Sequence, residues 1–400
     1  MRVDPESSTA ESGTKHDGPT VLQVLPALDA GGVERSAVDV AAALASAGWR
    51  SLVASSGGAK EREIIRAGAE TVTLPLASKN PFVIRANIDR LTALIEAGSV
   101  DLVHARSRAP AWSALYAAQR TGRPFVTTFH GTYNFTNGLK RRYNAVMVRG
   151  DRVIANSEFI ADHMRRHYGA DDSRIRVVPR GIDFGQFDPA RASSERIIKL
   201  ATEWRLPDGI PVIMLPGRLT RWKGQTVVID ALARLGRDDM RCLLLGDDQG
   251  RQGYRAELEK RIKAHGLDGI VHVVEHCNDM PAAYMLADVV VSASLDPEAF
   301  GRVAVEAQAM GRPTIATDHG GARETLVHGE TGWLVPPGND RALARALAAA
   351  LAIEPAEREA LAARAMARVR THYSKEAMCA ATLAVYRELL GGVGAARAAE

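Results

Sequence analysis

The sequence predicts an α/β protein of two doubly wound, Rossmann-like domains in series, facing each other across a cleft. Three observations predict it. Short apolar strands alternate with amphipathic helices almost without interruption, the pattern of parallel sheet covered by helices on both faces. The alternation lapses once, over the Gly, Asp, Phe and Pro stretch from Ile182 to Pro189, and then restarts. The chain has 400 residues, more than one typical domain and enough for two cores.

In the first half the strand candidates are Val21–Pro26, Ser51–Ser55, Thr71–Leu76, Leu102–Ala105, Phe125–His130, Val153–Ser157 and Arg176–Pro179. Helical periodicity runs between them, as in Val33–Ala47, Phe82–Ala97 and Ala111–Arg120. The second half offers Pro211–Pro216, Arg241–Leu245, Ile270–Glu275, Val289–Ala293, Pro313–Thr317 and Trp333–Val335 as strands. The expected organisation is a disordered tail over 1–18, a first domain over 19–188 and a second over 189–373. A C-terminal helix over 374–390 and a frayed tail over 391–400 complete it. Ligands of doubly wound sheets bind outside the carboxyl ends of the strands, which is where Gly31, His130, Arg218, Asp247 and Glu298 fall.

Composition narrows the function class. With 46% hydrophobic and 24% charged residues the chain reads as soluble and globular. A formal net charge of +4 is too mild to argue for nucleic acid, but it suits polyanionic ligands or an acidic membrane surface. Cys242, Cys277 and Cys379 are odd in number and widely spaced, so neither a disulfide framework nor a zinc pattern is expected and a reducing cytoplasm is. No run approaches the roughly 18–20 apolar residues of a membrane span. Gly138–Arg149 carries Lys140, Arg141, Arg142 and Arg149 with apolar Leu139, Val146, Met147 and Val148. That segment is compatible with peripheral contact at an inner membrane and equally with an ordinary solvated helix face.

The chemistry-bearing segment is Glu298-Ala-Phe-Gly-Arg-Val-Ala-Val-Glu306. Phe300-Gly301-Arg302 reads as a loop turning into a helix that starts around Val303 and stops at Gly311. Glu298 then precedes a helix N-terminus, where an anion is favoured. Glu306 lies more than a turn inside, so the two carboxylates grip separate parts of one long ligand. In Pro216-Gly-Arg218-Leu-Thr-Arg-Trp-Lys223-Gly, two cations follow a strand end and suit a diphosphate; a solvated basic loop is the plainer alternative. Gly31-Gly32 after the first strand lets backbone approach a ligand. It matches neither Gly-x-Gly-x-x-Gly nor a Walker loop, which argues against a dinucleotide dehydrogenase or P-loop enzyme. Gly320-Gly321-Ala-Arg-Glu324 repeats the device, with Glu324 as a capping residue of its own helix. His130 ends a strand facing the expected cleft, and His104, Arg106 and Arg108 occupy the equivalent place one strand earlier as candidates for an acceptor pocket. Histidines without ligand spacing and the absence of Asp-x-Asp predict no metal.

Together Gly31-Gly32-x-Glu34, His130, Arg218…Lys223 and Glu298-x7-Glu306 resemble the retaining glycosyltransferases of family 4, the group 1 glycosyltransferases of GT-B fold, from about Val21 to Leu390. Ile154-Ala-Asn-Ser157 and Val178-Pro-Arg180-Gly-Ile-Asp183 agree. Two departures stand out: Arg180 where the family commonly has Asn, and Gly246-Asp247-Asp248 where a Gly-x-Gly is common. The resemblance implies a nucleotide-sugar donor, a glycan or lipid-linked saccharide acceptor, and no cofactor. It assigns the donor diphosphate to Arg218 and Lys223, the ribose hydroxyls to Glu306, and the transferred hexose to Glu298 with the amides of Phe300 and Gly301. The helix start at Arg302 and Val303 faces the leaving phosphate. His130 stabilises positive charge on the sugar ring, and the last helix crosses back to the first domain. It points to lipopolysaccharide or surface polysaccharide synthesis on the cytoplasmic side of the envelope. The alternatives are a silent nucleotide-sugar-binding subunit and a GT-B epimerase or phosphorylase.

Overall fold

The computed structural model describes residues 18–29, 31–133 and 137–397. Residues 1–17, most of the first expected tail, and 398–400, the end of the second, lie outside the described residues. The first sheet is built from β1 (Thr20–Val24), β2 (Arg50–Ser55), β3 (Glu70–Thr73), β4 (Leu102–Ala105), β5 (Phe125–Phe129), β6 (Arg152–Ala155) and β7 (Ile175–Val177). Its order is β3-β2-β1-β4-β5-β6-β7. The second sheet contains β8 (Val212–Pro216), β9 (Arg241–Leu245), β10 (Val271–Val274), β11 (Val289–Ser292), β12 (Thr314–Thr317) and β13 (Trp333–Val335), in the order β10-β9-β8-β11-β12-β13. Each predicted strand is present, with ends shifted by up to three residues. Both sheets reverse direction beside their first strand, the doubly wound signature that places ligands at the carboxyl strand ends.

The pattern follows from the residues. β1 and β8 are buried at every position, as continuous apolar runs are when helices cover both faces of a parallel sheet. The helix Glu158–Tyr168 shows how local sequence sets a boundary. Ser157 accepts from the Ile160 N–H, Glu158 sits in the first turn, Arg165, Arg166 and His167 in the last, and Gly169 closes it at φ 60°.

By packing, the chain forms two compact units: one up to Val126 together with the segment from Tyr386, the other from Thr127 to Val385. In the first, Leu25, Leu28, Ala37, Val38, Ala41 and Val53 form a buried cluster. There the fully buried Tyr386 meets the His104 Nδ1 through its hydroxyl, at 2.6 Å. In the second, one cluster lies on β8, β9 and β11, and another gathers Ile182, Phe187, Leu243, Tyr284, Phe300 and Tyr373. The stretch expected as a linker therefore contributes core: Ile182 and Phe187 are buried, and the Ile182 N–H donates to the Tyr373 carbonyl at 2.9 Å. The C-terminal region forms two helices, Pro355–His372 and Lys375–Arg397, that meet at Tyr373-Ser374, and the second runs on through 391–397, a stretch expected to fray. No helix among the described residues is long and apolar enough to cross a membrane.

Candidate donor site

The second unit concentrates the motif residues at the carboxyl ends of β8, β11 and β12. The loop after β8 is pinned before any ligand arrives. The Leu219 N–H donates to the Asp247 carbonyl at 3.0 Å, and Gln225 Nε2 donates to the Arg218 carbonyl at 3.0 Å. Gly224, at φ 74°, lies so close to β11 that a Cβ there would sit 2.0 Å from the Ala293 carbonyl oxygen. That turn carries Lys223 toward the segment after β11. Its Nζ donates to Glu298 Oε1 at 2.7 Å and lies 4.5 Å from the Trp222 ring centroid. Ser294 donates to the same carboxylate oxygen at 2.5 Å. The Lys223 and Glu298 side chains are only 12% and 14% exposed, which makes this a buried ion pair. Burial pushes the Glu298 carboxyl up, but the Lys223 charge and hydrogen bond, with Ser294, hold it below the ordinary carboxylate value.

The helix Arg302–Ala309 follows. Gly301 precedes it in the left-handed region at φ 85°, and no side chain caps it, the arrangement by which helix N-termini take up anionic groups. Phe300 is buried against Tyr373, ring centroids 5.4 Å apart; its amide, rather than its side chain, is the part left for a ligand. Val303 is half-buried in the first turn. Glu306, 7% exposed, accepts from Arg302 Nε at 2.5 Å and from the Tyr284 hydroxyl at 2.9 Å. Burial, then the Glu306 carboxylate, pushes the Tyr284 phenol far up, so it remains a donor. Arg218 is exposed, and its guanidinium has no hydrogen bond or ion pair among the described residues.

Gly320 and Gly321 serve this segment by their lack of side chains. A Cβ on Gly320 would lie 2.5 Å from the Glu298 carbonyl oxygen, and one on Gly321 would lie 2.5 Å from the Phe300 Cα. The Gly321 N–H donates to the Glu298 carbonyl at 2.8 Å. Glu324 departs from expectation. Its carboxylate accepts from the N–H groups of Glu158 and Phe159, at 2.9 and 2.7 Å, and so caps a helix far away in sequence rather than its own. Ser157 Oγ adds a bond to the Ala299 carbonyl at 2.5 Å.

The remaining candidates separate. His130 Nδ1 accepts from Arg180 Nη2 at 2.9 Å, so the Arg that replaces the family's usual Asn orients this imidazole and leaves the neutral ring's proton on Nε2. In the first unit, His104 is fully buried on β4 beside Tyr386. Burial, then the Arg106 charge, lowers its pKa well below the usual histidine value. Arg106, 2% exposed, donates to Gln23 Oε1 at 2.5 Å and to Ser36 Oγ at 3.2 Å. Both side chains are buried and bonded within the first unit; Arg108, at the start of the helix Arg108–Thr121, is half-buried. Gly31 and Gly32 open the helix Gly32–Ser46, with the Glu34 carboxylate folded over Gly31. Along Gly138–Arg149, Leu139 on the helix Gly138–Asn144 is 81% exposed while Val146 and Met147 in the following turn are buried, so the expected apolar stripe divides between solvent and core. Sequence reasoning missed Ser294 and Tyr284, and it noted Ser157 only as part of the Ile154–Ser157 motif, without its bond to Ala299. Ser294, four residues before Glu298, carried a local signal; Tyr284 acts from 22 residues away and carried none.

Comparison with known proteins decides the family. The profile described as "Glycosyl transferases group 1" matches residues 198–368, and that of "Glycosyltransferase Family 4" matches 30–186. A D-inositol 3-phosphate glycosyltransferase of Xylanimonas cellulosilytica is 33% identical over 76% of this chain and 75% of its own. The chain belongs to the family 4, group 1 glycosyltransferases. Among solved structures, a glycosyltransferase from Rickettsia africae ESF-5 superposes with a TM-score of 0.86 at 36% identity, covering 94% of this chain and 99% of that one. Anabaena HepE in complex with UDP-glucose gives 0.78 at 25% identity, over 91% and 99%. The fold is therefore the GT-B class that the motifs implied. The chain spans 59 to 75% of the lengths of the first curated relatives.

Proposed function

We propose that this chain transfers a hexose from a nucleoside-diphosphate sugar to a glycan or lipid-linked saccharide, with retention at the anomeric carbon and without a metal ion. The observation that carries the reading is the buried Lys223–Glu298 pair, set by Ser294 beside an uncapped helix N-terminus. In it Lys223 sits at the junction of diphosphate and hexose. Its ammonium and the exposed Arg218 guanidinium neutralise the charge that grows on the departing diphosphate, with the helix amides as further donors. Glu298 accepts hexose hydroxyls. Glu306, already oriented by Tyr284 and Arg302, keeps carboxylate lone pairs for the ribose. His130, oriented by Arg180, stabilises positive charge that develops on the sugar ring. With cations in the phosphate role, the diphosphate oxygen itself takes the acceptor proton in a front-face substitution.

HepE was solved with UDP-glucose, so uridine donors head the panel. Thermal shift with UDP-glucose, UDP-N-acetylglucosamine and GDP-mannose tests the donor, because a ligand of the folded state raises the melting temperature by mass action. Transfer assays in EDTA test metal independence. Strict dependence on a divalent ion overturns the cation-pair assignment, and donor binding without transfer to any acceptor extract favours a binding subunit. The relatives named D-inositol 3-phosphate glycosyltransferases support a second reading, with a cyclitol phosphate as acceptor; product analysis with inositol phosphate checks it.

A further inference from the structure

The main chain of Glu298–Gly301, to which the hexose is assigned, is gripped at two successive carbonyls. The Gly321 N–H donates to the Glu298 carbonyl at 2.8 Å, and Ser157 Oγ donates to the Ala299 carbonyl at 2.5 Å. Gly321 belongs to the turn after β12, and Ser157 lies just after β6.

Both grips are themselves fixed. Ser157 is 1% exposed, and its hydroxyl also accepts from the Ile160 N–H at 3.1 Å, capping the helix Glu158–Tyr168. A buried hydroxyl that accepts and donates at once strengthens both bonds by polarisation. Gly321 leads into the short helix Ala322–Thr325. Glu324 in that helix ties it to the same place as Ser157, because its carboxylate accepts from the Glu158 and Phe159 N–H groups at 2.9 and 2.7 Å. The Glu324 carbonyl in turn accepts from the Tyr373 hydroxyl at 2.7 Å and from Arg368 Nη2 at 2.8 Å. The bonds therefore close a ring. It runs from the helix start through Ser157 to Ala299 and Glu298, on through Gly321 to Glu324, and back to the helix start.

Such a ring sets where a group sits. Lys223 and Ser294 already hold the Glu298 carboxylate; the ring holds the main chain that carries it, and with it the amides of Phe300 and Gly301. A displacement of about 1 Å at a reacting centre can cost on the order of 10²-fold in rate, so a constellation is only as exact as the contacts supporting it. Arg218, Lys223 and Glu306, assigned to diphosphate and ribose, contribute none of the ring's bonds. Opening the ring should separate recognition of the sugar from recognition of the nucleotide.

We infer that Ser157 and Glu324 are positioning residues for the donor sugar, aligning the Glu298–Gly301 main chain with the hexose from outside its contact shell. The inference rests on the donor assignment above. The test compares the full chain as wild type, Ser157→Ala and Glu324→Gln; the glutamine offers one acceptor where two N–H groups need two. By calorimetry, UDP affinity should stay within about twofold of wild type in both variants, which shows them folded, while UDP-glucose binds about tenfold more weakly. With the donor that wild type turns over, kcat should fall about tenfold in each variant. The double variant should lose less than the product of the two single losses, because both act through one ring. Amide hydrogen exchange over 298–301 should quicken in both variants and stay at the wild-type rate in the helix Gln225–Leu235. The inference is overturned if exchange over 298–301 is unchanged, if UDP-glucose affinity and kcat are retained, or if UDP and UDP-glucose weaken in equal proportion, as in a general loss of structure. Wild type that binds UDP and UDP-glucose but turns over no donor sinks the transferase reading instead; the affinity ratio and the exchange rates then still decide the positioning role. Wild type that binds no UDP sinks the donor assignment and this inference with it.

Discussion

The strand ends of the two sheets carry similar polar residues put to different uses. At the end of β4, His104 and the following Arg106 are nearly inaccessible, and each is bonded within its own unit: His104 to Tyr386, Arg106 to Gln23 and Ser36. After β8 and β11, Lys223 and Glu298 bond mainly to each other, and Arg218 stays exposed without a side-chain partner among the described residues. A strand-end position is thus necessary for a site but does not make one. What separates the cases is whether hydrogen-bonding capacity is spent on the scaffold or kept for a ligand.

The sharpest way to break the comparison is at the ion pair. Glu298→Ala should lower kcat by about 10²–10³-fold, the scale of losing one preorganised polar group at a transition state, and a retained rate would remove Glu298 from the site. Lys223→Ala should in addition cost about 2–4 kcal/mol of stability, because it leaves a buried carboxylate without its cation. The double variant should cost at least 1 kcal/mol less than the sum of the two singles. Urea titration of the four proteins reads this out, and simple additivity would mean that the pair does not act as a unit.

The β4 residues should behave oppositely. His104→Ala removes a buried ring and strands the Tyr386 hydroxyl, an expected loss of about 2–4 kcal/mol. KM for donor and acceptor should remain within twofold in the protein that stays folded. A raised acceptor KM at unchanged stability would restore His104 to an acceptor pocket. Arg218→Ala inverts that pattern: stability within about 0.5 kcal/mol of wild type, but UDP affinity about tenfold weaker, equivalent to roughly 1.4 kcal/mol.

These contrasts also mark what the sequence made legible. All thirteen strands of the described chain were visible from their local sequence, most clearly central ones such as β1 and β8, because strands buried on both faces of a parallel sheet have little freedom in composition. The Glu298-x7-Glu306 spacing and the strand-end cations located the donor segment for the same local reasons. Partnership was not legible. Nothing in the local pattern says that Lys223 closes on Glu298, that Glu324 caps the helix at Glu158, or that Tyr284 seats Glu306, since 75, 166 and 22 residues separate them. His104 illustrates the converse: its strand-end position gave no sign of its burial, or of the Tyr386 hydroxyl, 282 residues away, that it bonds.

The smallest effect tests the neutral imidazole of His163. The His163 pKa is lowered by burial and by His167 to about 4 in the folded chain, against about 6.5 when unfolded. A group whose folded pKa is lowered binds fewer protons in the native state, so its contribution to stability is complete above about pH 6.5 and disappears as pH falls toward 4. The ring is half exposed, which reduces the full linkage value to about 1–2 kcal/mol. His163→Gln cannot titrate and should lose that much less stability than wild type between pH 7 and 4.5, measured by urea unfolding at each pH. Other acid-sensitive groups, Glu298 among them, cancel in the difference because both proteins share them. Parallel pH profiles would show that His163 is protonated equally in both states.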